Sequence, residues 1–157
     1  MSVNTGSTEA FGAILNYDQS GTSAPSAKIT SPTALAGIIN ISLDSSRDTI
    51  EETDHQSTGG FREFMAGLID GGSLNLELNM EQANYNILKA AHQAAPGAAG
   101  ARHQFEIQIP NIGTSTDEYI TFLAIVTSLS VGLPHDGKVT CNATLKVSGK
   151  PFHTAAT

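Results

Sequence analysis

Residues 54–72 read DHQSTGGFREFMAGLIDGG and hold most of the side chains in this chain that could do chemistry. An Asp–His pair near a hydroxyl could belong to a hydrolytic triad, and Gly-Gly steps could cradle a phosphate. Asp54 and His55 are adjacent, however, and adjacent residues of a strand point to opposite faces. The stretch also lacks a G-x-S-x-G turn and the G-K-[ST] ending of a nucleotide loop. These patterns favour a solvated loop histidine and tight turns over a catalytic or phosphate-binding site.

The remaining reactive side chains do not predict a metal site. No two of the five histidines have close ligand spacing; they are His55, His92, His103, His135 and His153. The single Cys141 excludes a structural zinc cluster and an intrachain disulfide. Its neighbours VTCNATL alternate like a strand, which favours a buried thiol over a nucleophile. The segment RDTIEETD lacks the glycine-turned loop of an EF-hand. We therefore predict no cofactor, no metal and no catalytic residue.

Charge and composition narrow the class of protein. The 157 residues suit a single domain, here 1–157 with flexible ends at 1–7 and 150–157. The net charge is −7, and the chain lacks the basic patch that tight binding of nucleic acid needs. A weakly repulsive surface that lets DNA pass remains open. Neither a signal peptide nor an apolar window of about 18 residues is visible, so we expect synthesis in the cytoplasm and no membrane contact.

The densest charge lies between residues 44 and 54. Five carboxylates are opposed there by one guanidinium; the residues are Asp44, Asp48, Glu51, Glu52, Asp54 and Arg47. One interpretation is a solvated hairpin tip, where salt screens repulsion within about 8–10 Å. The other is a surface that repels DNA or meets a basic patch on a neighbouring subunit.

Alternation of apolar and polar residues predicts six or seven strands. They cover residues 8–17, 34–44, 48–54, 73–80, 103–110, 119–131 and 138–149. Residues 45–47 (SSR) are predicted to be a turn that joins the second and third of these. The segment 119–131 is apolar on both faces and should be central. Several others have a fully polar second face, as in a sheet that is wet on one side.

Two segments have helical spacing. Phe61, Phe64, Met65, Leu68 and Ile69 follow i, i+3, i+4, i+7, i+8, which predicts a short amphipathic helix ended by glycines. Residues 81–97 form the clearest helix, and Pro96-Gly97 should end it. Its apolar stripe is narrow, as in a helix that packs one face on a sheet; the stripe is Ala83, Ile87, Leu88, Ala91 and Ala94.

The order of these segments resembles a known family. The run GGFREFMAGLIDGGSLNLELNMEQANYNILKAA is similar to the core of tail tube proteins, the major tail proteins of long-tailed bacteriophages. The segments FEIQIP, TFLAIVTSLSVGLPHDGKV and VTCNATLKVSGKP follow in the family's order. The resemblance covers roughly residues 8–152. Ala66 is a departure, since the family often has proline before the Gly-Leu step.

The resemblance implies a mainly β (α+β) subunit, an antiparallel sandwich or barrel-like fold with one flanking helix. Such subunits form six-fold rings in which strands of neighbours complete one barrel around a lumen. Stacked rings make the tube of the virion, assembled in the host cytoplasm, through which double-stranded DNA passes without specific binding. By the same resemblance, its partners are further copies of the chain, the tape measure protein, and tail tip and terminator proteins.

Polar strand faces and the acidic cluster supply the site candidates. The expected lumen-lining residues are Asn40, Ser42, Asp44, Glu51, Gln104, Glu106 and Gln108. The expected contacts between subunits are Arg47, Asp48, Glu52, Asp54, Phe61, Arg62, Glu63, Phe64 and Met65. Two alternatives stay open. One is a tube or ring subunit of a secretion or contractile injection system, and the other is a small hydrolase that uses His55 or Cys141.

Overall fold

The computed structural model describes residues 12–18, 21, 23–54, 58–110 and 117–154. Seven strands and one α-helix lie within them: β1 (Ile14–Asp18), β2 (Thr33–Leu35), β3 (Ile38–Glu51), β4 (Phe64–Asn79), α1 (Gln82–His92), β5 (His103–Ile109), β6 (Glu118–Gly132) and β7 (Thr140–Thr154). Short 3-10 turns occupy Thr58–Gly60 and Ala99–Ala101. The first four residues of the strand expected over 8–17 lie outside the described residues, as do the loop 111–116, His55 and the last three residues.

All seven strands belong to one antiparallel sheet in the order β2-β1-β5-β6-β7-β4-β3. The mainly β fold with one flanking helix, expected from the resemblance, is therefore confirmed. The chain's last strand, β7, pairs on one side with β6 and on the other with β4. β6 pairs with β5 and β7 and is interior, as its two apolar faces predicted.

Alternation along the strands builds one hydrophobic core on one face of the sheet. Its largest fully buried members include Phe105, Phe122, Leu74 and Leu145. α1 covers this face with Leu88 and Ala91, as the sequence predicted. Ala83, predicted in the same stripe, is exposed.

The buried polar residue of α1 is Asn84, whose amide donates to the carbonyl oxygen of Ala36 at 2.8 Å. That bond satisfies a buried amide and ties α1 to the segment between β2 and β3. Cys141 is fully buried in the core, as predicted.

Four predictions about local structure are wrong. The helix predicted over 81–97 ends at His92, before Pro96-Gly97. Residues 61–69 do not form a helix, because β4 begins at Phe64 and pairs with β3 through this region. Residues 45–47 are not a turn, since β3 runs unbroken from Ile38 to Glu51. The C-terminal tail does not begin at residue 150, because residues 150–154 extend β7.

Candidate assembly surfaces

A polar wall lies opposite the core on four neighbouring strands, β3, β4, β7 and β6. Cross-strand partners share a face of a sheet, so the pairing registers place these side chains in rows. One row runs Asn40, Glu77, Asn142, Ser130, and the next runs Ser42, Asn75, Thr144, Ser128. The Thr144 hydroxyl donates to the Asn75 side-chain oxygen at 3.2 Å. The side chains of these two rows are all polar, most of them are small, and each is exposed or half-buried.

Three predicted lumen residues lie on the polar wall: Asn40, Ser42 and Asp44, all exposed. Their neighbours on the same wall were not among the predicted lumen residues: Asn75, Glu77, Ser128, Ser130, Asn142 and Thr144. Alternation in SLNLELNM and VTCNATLKV already marked most of these as polar-facing. What the alternation did not show is that β4 and β7 stand next to each other.

Glu106 is a correction, because it is fully buried and cannot line a channel in this subunit. Residues 23–32 fold over the polar face of β1 and β5 and cover it. The Ile29 backbone N–H donates to Glu106 Oε2 at 2.9 Å, and the Thr121 hydroxyl donates to the same oxygen at 3.0 Å. Asn16 Nδ2 donates to Glu106 Oε1 at 3.1 Å. Glu106 therefore fastens the covering loop to the sheet.

Gln104 and Gln108 also make contacts inside the subunit. Gln104 Nε2 donates to the carbonyl oxygen of Ser23 at 2.9 Å, beneath the same loop. Gln108 Nε2 donates to Asp117 Oδ2 at 2.6 Å, next to the start of β6. Both side chains are half-buried, so β5 offers less open polar surface than its sequence suggested.

Removing the Glu106 carboxylate should destabilise the subunit strongly. Glu106→Leu leaves the donors of Asn16, Ile29 and Thr121 buried without an acceptor, and we expect a loss of about 3–5 kcal/mol. Glu106→Gln keeps one oxygen for Ile29 and Thr121, and Asn16 can present its own oxygen to the new amide. We expect that variant to lose only about 1 kcal/mol. Urea unfolding of both variants checks the difference, and equal losses would contradict a role in hydrogen bonding.

Glu51 is a second correction among the lumen candidates. β3 alternates without a bulge of its own from Asn40 onward, while the register shifts beyond Asp44 fall in β4. Asp44 and Glu51 are seven residues apart, an odd number, so they lie on opposite faces of β3. Glu51 shares its face with its partner Phe64.

Two strand edges bordering the polar wall are unpaired within the described part of the chain. β3 is the last strand of the sheet, and its outer edge has no partner there. β5 pairs with β6 only as far as Ala124, so residues 125–132 of β6 also have one open edge. Open edges of this length invite pairing with another chain.

The β3–β4 hairpin continues beyond the sheet as an arm, residues 45–54 and 58–70. β7 pairs with β4 only over residues 73–79, so the arm projects past it. Six large apolar side chains of the arm are exposed: Ile50, Phe61, Phe64, Met65, Leu68 and Ile69. Phe61 is 76% and Leu68 83% exposed, far from the burial that an amphipathic helix would give.

The predicted contact residues all belong to this arm. Arg47, Asp48, Glu52, Asp54, Phe61, Arg62, Glu63, Phe64 and Met65 are exposed. Arg62 lies 3.8 Å from Glu51 across the hairpin, and the Glu63 backbone N–H donates to the Thr53 hydroxyl at 3.0 Å. The structure therefore brings these residues together on one projection.

A glycine bulge fixes the root of the arm. Gly72 has φ +85°, and its backbone N–H donates to Asp70 Oδ1 at 2.8 Å. Lys146 Nζ donates to Asp70 Oδ2 at 2.7 Å from β7. The hydrogen bonds from Lys146 and Gly72 lower the pKa of Asp70. The contribution of this pair is thus present at neutral pH and is lost only as the pH falls through that lowered pKa.

An apolar cleft of about 720 Å³ opens between the edge strand β3 and strands β5 and β6. The curl of the sheet brings these strands face to face. Isoleucines dominate the lining; they are Ile38, Ile39, Ile41, Ile107, Ile109 and Ile120. Ile39, which lines the cleft, is 52% exposed.

The reactive groups give no support to a hydrolase. Burial raises the pKa of the Cys141 thiol, which disfavours the thiolate that a nucleophile needs. His55 and Ser57 lie outside the described residues. No group of three or more potential metal ligands occurs within the described ranges. None of the described helices is long and apolar enough to cross a membrane.

Comparisons with solved structures show the same fold in tube-forming particles. The tail of an empty gene transfer agent particle, refined with C6 symmetry, superposes with a TM-score of 0.68 at 17% identity, covering 90% of this chain and 95% of that one. The sheath–tube complex of an extracellular contractile injection system gives 0.68 at 14%, covering 98% and 95%. The SPP1 tail tube gives 0.60 at 16%, covering 90% and 75%.

Family membership rests on the sequence match. No curated protein matches this chain. The family model described as phage tail tube protein, in contrast, matches residues 19–153, which is most of the sequence. That range contains the polar wall, the arm and the lining of the apolar cleft except Gly12 and Ala13. The chain therefore belongs to the phage tail tube protein family, whose members are structural subunits of the tail.

Proposed function

We propose that this chain polymerises as stacked six-membered rings into the tail tube of a long-tailed phage and has no enzymatic activity. The polar wall is the observation that carries this proposal. A polar face of four strands opposite a packed core must stay in contact with water, and the water-filled lumen of a tube allows this. The C6 symmetry of the gene transfer agent tail supports the ring number. The injection-system tube shares the fold, but the family match favours the phage tail.

The two open edges explain how the walls of neighbours become one barrel. In each subunit the wall is bounded by the outer edge of β3 and by residues 125–132 of β6. Pairing of β3 in one subunit with β6 of the next would satisfy both edges and continue the antiparallel ladder. Because the two edges are different surfaces, the contact is head-to-tail, and such a contact closes into a ring of six when each subunit is rotated by one sixth of a turn from the last.

The wall suits the passage of double-stranded DNA as an inner lining. It carries Asp44 and Glu77, while its Lys146 is held by Asp70 at 2.7 Å. A surface of small polar groups with a slight excess of carboxylates does not retain a polyanion. We propose that the genome leaves through this channel, around which tape measure, tail tip and terminator proteins act as assembly partners. Assembly would take place in the host cytoplasm.

Electron microscopy of the purified protein tests the proposal directly. We expect long tubes of stacked rings with an open lumen. Isolated short rings would favour a secretion apparatus, and monomers at every concentration would contradict tube formation.

The arm is proposed to supply contacts between subunits. Phe61→Ala and Arg62→Glu should leave the folded monomer within about 0.5 kcal/mol of wild type, since both side chains are exposed. Each should reduce polymerisation, Phe61→Ala through loss of apolar contact with a neighbour and Arg62→Glu through reversal of the charge that the arm presents to it. Circular dichroism reports the fold, and sedimentation reports the assembly. Ala95→Ser, an exposed change outside the arm, is the matched control, and unaltered tubes from both arm variants would refute this role.

A further inference from the structure

We propose that the apolar tip of the arm docks into the isoleucine cleft of a second copy of this chain. The arm tip is Ile50, Phe61, Phe64 and Met65, all about half or more exposed. The isoleucine cleft is the 720 Å³ space between β3 and β5–β6. This inference rests on the proposed polymerisation and adds to it the surface that receives the arm.

The arm cannot reach its own cleft. Both features use β3, with Ile38–Leu43 at the cleft and Ile50 at the arm tip. Between Leu43 and Ile50 the strand stays extended, and at about 3.3 Å per residue this separates them by roughly 20 Å or more. Folding back would break the pairing of β3 with β4. A cleft that one arm cannot fill within its own chain can be filled by the arm of another.

The chemistry of the two surfaces matches. The cleft is lined by isoleucine and other small or apolar residues, with Asn40 its one polar side chain. Charged residues are absent from that lining, so the acidic groups of the arm meet no like charge there. A second copy also carries both features in equal number, which no unrelated partner guarantees. Each subunit would then insert its own arm tip into the cleft of one neighbour and bind the arm tip of another in its own cleft.

The predicted contact is head-to-tail, and this makes it testable by cross-linking. A variant with both Phe64→Cys and Ile39→Cys has one thiol on the tip and one at the cleft. The native Cys141 is fully buried and does not compete. With a flexible bis-maleimide, assembled double variant should give a ladder of covalent multimers. Either single variant should give dimers at most, because its thiol has no second kind of partner.

A matched control pair moves the second thiol to the polar wall. Phe64→Cys with Ser130→Cys keeps the tip but places its partner on the opposite face of the sheet. We expect no ladder from this pair, and mass spectrometry should map the ladder of the first pair to peptides containing positions 39 and 64. A ladder from the control alone, or cross-links from position 39 to any other segment, would overturn the proposal.

Assembly itself separates this inference from the function on which it rests. Ile39→Asp should leave a folded monomer and raise the concentration needed for tube formation at least about tenfold. If wild-type protein forms tubes but Ile39→Asp polymerises normally without the ladder, the cleft is not the receptor and the tube function stands. If wild-type protein forms no tubes at all, the function itself fails.

Discussion

Replacement of Gly72 by alanine should abolish the folded subunit. An added Cβ would lie 1.3 Å from the Asp44 carbonyl oxygen and 2.4 Å from its carbon. Both are backbone atoms of the paired strand β3, so no side chain can move aside. The residue also holds φ +85°, which an L side chain rarely adopts. We expect a loss above about 4 kcal/mol, a large part of the roughly 5–15 kcal/mol that stabilises a typical domain.

Two other glycines separate the clash from the backbone strain. Gly97 has φ +79° but nothing within 4 Å of an added Cβ, so Gly97→Ala should cost only about 1–2 kcal/mol. Gly100→Ala meets open space without a positive φ and should be neutral within about 0.5 kcal/mol. Urea unfolding and the soluble fraction give the three values. Gly72→Ala as mild as Gly97→Ala would mean that the bulge relaxes and does not set the direction of the arm.

A second bulge in β4 explains why the helix over 61–69 was the wrong prediction. An extra residue at positions 67–68, opposite the step Arg47–Thr49, interrupts the two-residue alternation. Phe64 and Ile69, five residues apart, consequently fall on one face, as they would not in a regular strand. Their exposure also means that no contact inside the subunit selects their spacing. A pattern interrupted by a bulge and not selected by contacts inside the subunit can imitate a helix.

Glu106 shows a different limit of sequence patterns. FEIQI correctly predicted β5, and Glu106 does lie on its polar side. Alternation cannot show whether that side meets water or another segment of the chain. The segment that covers it includes Ile29, which is 77 residues away. Local periodicity therefore predicted most strands, α1 and the core, whereas the non-sequential order β6-β7-β4 and the covering loop decided which polar residues stay open.

Reversal of charge on the polar wall should leave tubes intact and impair release of the genome. Asp44 and Glu77 lie on the wall and do not accept buried hydrogen bonds as Glu106 does. Lysine can therefore be accommodated at both positions. Each substitution changes the charge by two, and the double variant by four. In the proposed ring of six this replaces twelve negative charges with twelve positive ones in every layer, a net change of +24 along the DNA. In the proposed tube the DNA would pass every ring, so even weak retention in one ring would accumulate along the tube.

Ionic strength distinguishes retention of DNA from a damaged tube. Lysine–phosphate contacts release counterions, so retention should weaken steeply as salt rises. Particles carrying Asp44→Lys with Glu77→Lys should release DNA slowly at low salt and recover at high salt, while electron microscopy shows normal tubes. Asp136→Lys, an exposed change of two charges outside the wall, is the control for Asp44→Lys and Glu77→Lys singly. Normal release at every salt concentration would place the wall away from the DNA, and slow release that salt does not relieve would indicate a structural defect instead.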